Sequence, residues 1–170
     1  MMGRTVRLRV RMSHVWVAVM AAGLLAPGLT VFSAPETVRI TVPAAVGFAV
    51  TNVSANTIGS PATTTMSYSA LNLNAGREIR ISVKADSNFV PPGGAAIPAS
   101  KVSWTTSGAV NGTGSSGVLS TSVYGQLFQS ASAKKTGSVN ITWTLAAPGT
   151  PLRAGNHALT VRWKLESIIP

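Results

Sequence analysis

The chain has 170 residues, of which 45% are hydrophobic and 11% charged, with no cysteine and a formal net charge of +10 at pH 7. Without cysteine there can be no disulfide framework, thiolate metal site or cysteine nucleophile, so stability must come from side-chain burial. The length suits one domain once a targeting segment is set aside.

The first element is a leader. Arg4, Arg7, Arg9 and Arg11 precede an apolar run from Val15 to Leu25, which Pro27-Gly28 breaks before a small-residue exit at Ser33. A basic region, an apolar core and a breaker form the layout of a secretory signal peptide. The expected organisation is therefore a signal helix within residues 1–33 and a single domain over residues 34–170, secreted or held at the cell surface. The stretch from His14 to Phe32 approaches the roughly 20 apolar residues of a spanning helix, so contact with a membrane is expected only through an uncleaved signal.

Removing the four leader arginines takes the formal charge from +10 to +6. The remaining bases are scattered, and their longest run is Lys134-Lys135. Nucleic-acid binders gather such residues into a stripe beside stacking aromatics, so no nucleic-acid partner is expected. A spread of positive charge on an exported protein suits either weak attraction to anionic envelope polymers or a merely soluble surface.

Beyond the leader, Val38, Ile40 and Val42 alternate with Thr37, Arg39 and Thr41, which reads as a strand ending at Pro43. A second strand is expected from Gly47 to Val53, followed by a polar connection from Ser54 to Thr63. Met66, Tyr68 and Ala70 lead to Leu71 and Leu73, and the turn signal Asn74-Ala75-Gly76 precedes a strand over Arg77 to Lys84. The short link predicts a hairpin. Proline and glycine in Ser87 to Ser100 predict an exposed loop, and the glycines of Ser107 to Gly117 predict a second one after a short strand at Val102 to Thr105. Val118 to Phe128 resumes strand character with ambiguous facing.

The two most regular stretches are Val139-Asn140-Ile141-Thr142-Trp143-Thr144-Leu145 and Leu159-Thr160-Val161-Arg162-Trp163-Lys164-Leu165. Each alternates apolar and polar residues and ends in Trp-x-Leu, as expected for strands of an antiparallel sheet with one buried face. With no helical apolar spacing after the leader, the fold class is all-β, an antiparallel two-sheet sandwich of about eight strands. Trp104, Trp143 and Trp163 are expected in its core.

Catalysis lacks parts. His157 is the one histidine after the leader, no Gly-x-Ser-x-Gly elbow accompanies it, and it reads as an exposed turn residue. No sequence feature pairs two of Glu36, Glu78, Asp86 and Glu166 as a glycosidase would require. Metal-ligand clusters and calcium loops are missing from the sequence. No catalytic residue, metal or cofactor is expected. The candidate ligand or partner contacts are Trp104 and Tyr124, beside the two loops, and Arg162 and Lys164, on the polar face of the last strand.

The ending Arg153-Ala154-Gly155-Asn156-His157-Ala158-Leu159-Thr160-Val161-Arg162-Trp163-Lys164-Leu165-Glu166-Ser167 resembles the close of a WxL domain, an exported β-rich module of bacterial cell surfaces. The resemblance covers about the last quarter of the chain and implies surface localisation. The same ending is similar to the final strands of pilin-like and spore-coat-like sandwiches, which assemble by strand exchange. Two functions are therefore expected in order: a non-enzymatic surface or assembly protein that meets an envelope polymer, another surface protein or a copy of itself, and a carbohydrate-binding module using exposed aromatic residues.

Overall fold

The computed structural model describes residues 6–17, 35–91, 96–149 and 155–170. Its strands are β1 (Val6–Val17), β2 (Thr37–Thr41), β3 (Ala45–Val50), β4 (Thr57–Ile58), β5 (Thr64–Asn72), β6 (Glu78–Ala85), β7 (Val102–Val110), β8 (Gly112–Gly114), β9 (Gly117–Val118), β10 (Gly125–Ser130), β11 (Thr136–Leu145) and β12 (Asn156–Ile168). The first sheet runs β3-β1-β12-β6-β10-β8, and the second runs β2-β5-β11-β7-β9 with β4 also paired to β11. The expected strands are present as β2, β3, β5, β6, β7, β10, β11 and β12. The additional strands are β1 and the short β4, β8 and β9, whose two or three residues carry too little pattern to register as strands in sequence.

Most of the expected signal helix falls on residues 1–5 and 18–33, which lie outside the described residues. Within it, residues 6–17 run as β1, antiparallel to β3 and parallel to β12. The other strand pairs are antiparallel.

Period-two alternation sets the core. On β11, Val139, Ile141, Trp143 and Leu145 are buried, and on β12 Leu159, Val161, Trp163 and Leu165 are buried. These strands belong to opposite sheets, so the two Trp-x-Leu motifs supply both halves of one interior rather than lying in one sheet. From β2 onward, every connection except β4 to β5 changes sheet. The expected hairpin between β5 and β6 is thus an arch. β5 pairs with β2 and β11, whereas β6 pairs with β12 and β10. Gly76 turns the chain there with φ +74, a conformation that disfavours residues with a Cβ.

Both expected loops also differ. Phe89, Ile97 and Ala99 are buried and Phe89 bridges Ile97, so residues 87–91 and 96–100 are anchored to the core at these three side chains, which have apolar area to remove from water, while their neighbours stay largely exposed. Residues 107–117 continue β7 to Val110 and turn at Asn111 (φ 57) into β8, a left-handed position that asparagine tolerates. Between β9 and β10, residues 119–124 leave strand geometry. A register irregularity between Gln126 and Phe128 lets the adjacent Leu127 and Phe128 both be buried, which explains the ambiguous facing.

Two polar side chains in the interior have backbone partners. Ser130 Oγ accepts the Ile79 N–H at 2.8 Å, and the Tyr68 hydroxyl donates to the Lys134 carbonyl at 2.9 Å. Burial pushes the Tyr68 phenol above its ordinary value, and a hydrogen bond with Ser130 partly offsets the rise. The folded state therefore holds the phenolic proton more tightly than the unfolded chain. That contribution is complete below the ordinary value of 10.0 and is lost as pH rises through the raised one. We expect urea titrations to show wild-type stability falling more steeply above pH 10.0 than that of Tyr68→Phe. Parallel curves would contradict this assignment.

Candidate functional site

The structure separates the four candidate contacts into one buried ring and one surface cluster. Trp104 is 2% exposed on β7 and lies 5.9 Å from the Trp143 ring. Its Nε1–H donates to the Ser115 carbonyl at 2.8 Å. Two glycines close over it: a Cβ on Gly117 would lie 2.5 Å from the ring and one on Gly125 would lie 2.7 Å away. Trp104 is therefore corrected from candidate ligand platform to core residue. A stacking platform needs an open face, and here both sheets and two backbone segments cover it. Trp143 and Trp163 are each 1% exposed, as strand parity requires.

Tyr124, Arg162 and Lys164 gather on the outer side of the first sheet. β12 pairs with β6 so that Arg162 stands opposite Lys84 and Lys164 opposite Ser82. The Lys84 and Lys164 ammonium groups lie 5.1 Å and 5.7 Å from the Tyr124 ring centroid. Cations over an aromatic face are attracted by its quadrupole, by about 0.5–1 kcal/mol at exposed sites. Arg162 pairs with Asp86, and Lys164 meets Glu166 at 2.6 Å. The resulting patch is an aromatic ring under two ammonium groups, bordered by a guanidinium and two carboxylates. It can hold anionic or hydroxyl-rich groups by contact. Lys84 completes it, and its alternation with Ile81 and Val83 was the signal available in sequence.

Each of Glu36, Glu78, Asp86 and Glu166 is engaged by a neighbouring donor or cation. Glu36 accepts the Asn74 N–H at 3.0 Å, and Glu78 accepts from Gln129 Nε2 at 2.6 Å. Asp86 and Glu166 serve the ion pairs already described. Among the described residues, no three His, Cys, Asp or Glu side chains gather as metal ligands, and no helix is long and apolar enough to cross a membrane. His157 is 1% exposed near the start of β12, correcting its reading as an exposed turn residue. It occupies the inward parity of Leu159 and Val161.

A polar groove of ≈ 500 Å³ lies at the other end of the first sheet, lined by Glu78, Asn111, Gly112, Thr113, Gln126, Gln129, Ser130 and Ala131. Asn111, Gly112 and Thr113 border it from the segment 107–117, and neither Trp104 nor Tyr124 lines it. No protein-family model and no curated protein matches the chain in sequence.

Proposed function

We propose that the chain is an exported, non-enzymatic structural or assembly protein of the cell surface. The observation that carries this reading is the burial of Trp104, Trp143 and Trp163 inside one two-sheet core. With the large aromatics committed to stability, the surface offers strand edges and the Tyr124–Lys84–Lys164 patch for contact. The WxL-like ending accords with surface localisation, and the basic patch accords with anionic envelope polymers.

The test is co-sedimentation of the exported full-length gene product with insoluble cell-envelope polymer at increasing salt. Exposed charge contacts weaken as the Debye length shortens from about 10 Å at 0.1 M to about 3 Å at 1 M. We expect retention at low salt, loss at high salt, and a several-fold loss in the Lys84→Gln, Lys164→Gln double variant. A product that neither sediments with envelope nor associates with itself would overturn the reading.

The polar groove favours a second reading, carbohydrate binding, because amides and a carboxylate converge there. Glycan binding abolished by Gln126→Ala, with the patch variants unaffected, would put that reading first.

A further inference from the structure

Within the first sheet β1 is an interior strand, joined on one side to six positions of β3 and on the other to nine of β12. It is also the segment that reads, in sequence, as part of a removable leader. Removing residues 1–33 would leave β3 and β12 facing each other across a missing strand. The order β3-β1-β12 gives β3 no other neighbour in that sheet, and the Gly47–Ser60 bridge would be its remaining strand pairing. Two rows of backbone donors and acceptors would lose their partners, and Phe48, Val161 and Trp163 would border the gap. Unpaired strand edges of this kind pair with any suitable extended segment. The indole Nε1 of Trp163 is buried without an acceptor among the described residues, so a polar group in this strand remains unsatisfied even with β1 in place.

The sequence contains a replacement. Val38-Arg39-Ile40-Thr41-Val42 repeats the alternation of Val6-Arg7-Leu8-Arg9-Val10, with valine at both ends, arginine second and a branched aliphatic residue in the centre. Once the leader is gone, this segment begins the chain. It forms β2, an edge strand paired with β5 alone, in which Thr37, Arg39 and Thr41 are exposed and Val38 and Ile40 half-buried. An arm of residues 34–42 reaches about 30 Å when extended at about 3.3 Å per residue, enough to cover the six positions that pair with β3 but short of the full twelve-residue strand.

We infer that the gap between β3 and β12 is a strand-acceptor site and that its occupant in the exported protein is the N-terminal arm, residues 34–42, of a second copy of this chain. This inference rests on the proposed assembly function and names its mechanism. Each copy donates its arm and accepts another, so the contact is head-to-tail and extends into a chain of copies unless it closes into a ring.

The test begins with the full-length gene expressed in an exporting bacterial host and the intact mass of the exported product. The product is then denatured and refolded alone, with a synthetic peptide of residues 6–17, or with a scrambled peptide of the same composition. We expect a product lacking residues 1–33 that refolds into multimers. The native-sequence peptide should lower the multimer fraction at least tenfold, giving monomers with one bound peptide, and the scrambled peptide should leave it unchanged. Ile40→Asp should abolish multimers while still binding the peptide, which separates loss of the donor from loss of the fold. The inference is overturned by a product that retains residues 6–17, by a stable monomer closed by its own arm, by co-purification with a different protein in the gap, or by multimers indifferent to the peptide. The last outcome would leave the assembly function standing, whereas the envelope experiment tests that function separately.

Discussion

Trp104→Ala is expected to destabilise the protein by about 3–5 kcal/mol, the range for truncating a buried aromatic residue. The ring is 2% exposed, contacts Trp143 and donates its Nε1–H to the Ser115 carbonyl. Truncation would remove its apolar area from the core and leave that carbonyl without the indole donor. Collapse of neighbours into the cavity is limited, because Gly117 and Gly125 have no side chains to move in. Urea unfolding monitored by circular dichroism provides the check, since the other tryptophans complicate a fluorescence reading. Phenylalanine in place of Trp104 keeps an aromatic ring but lacks the donor, so Trp104→Phe should fall between wild type and alanine. A loss below about 0.5 kcal/mol for Trp104→Ala would show that the ring is not the filled centre of the core, because surface substitutions usually stay within about that limit.

The glycines around Trp104 also show where sequence reading stopped. Strand interiors were legible because burial follows period two: Ile79, Ile81 and Val83 on β6, and the four inward residues on each of β11 and β12, are buried as alternation requires. Strand partnership was not legible. A turn such as Asn74-Ala75-Gly76 has the same composition whether it joins neighbours in one sheet or carries the chain across to the other. Here it does the latter, and so do nearly all later connections. The neighbouring Trp-x-Leu motifs therefore look like adjacent strands in sequence and face each other in space.

The candidate contacts divide for the same reason. Arg162 and Lys164 were placed on the polar face by alternation with Val161, Trp163 and Leu165, and that placement is observed. Their gathering with Tyr124 depends on β6 lying between β12 and β10, a neighbourhood that no local pattern encodes. Trp104 looked available because glycine-rich sequence follows it. Those glycines mark close backbone approach to its ring, the opposite of an open platform. Likewise the arginines at residues 7, 9 and 11 read as a basic leader region in sequence, and only the sheet order reveals their segment as a strand.

Close approach also governs Gly112→Ala, for which we expect a loss of about 1–3 kcal/mol, the usual range for overfilling a well-packed site. A Cβ on Gly112 would lie 2.3 Å from the Gln129 carbonyl oxygen, 2.5 Å from Phe128 Cζ and 2.8 Å from the Ser130 Cα. Two of these obstacles are backbone, so a side-chain rotation cannot clear them. Strand β8 has three residues and pairs with β10 at Phe128, Gln129 and Ser130, so separation would break this short ladder. Gly76→Ala supplies the contrast: its φ is +74 but its Cβ would meet nothing within 4 Å. Its cost comes from left-handed backbone strain alone, about 1–2 kcal/mol per non-glycine residue. Hydrogen exchange distinguishes the two variants, since Gly112→Ala should accelerate exchange along residues 112–114 and 128–130, whereas Gly76→Ala should leave that ladder protected. Equal protection of the ladder in both variants would mean that β8 accommodates a methyl group without moving, contrary to the geometry around Gly112.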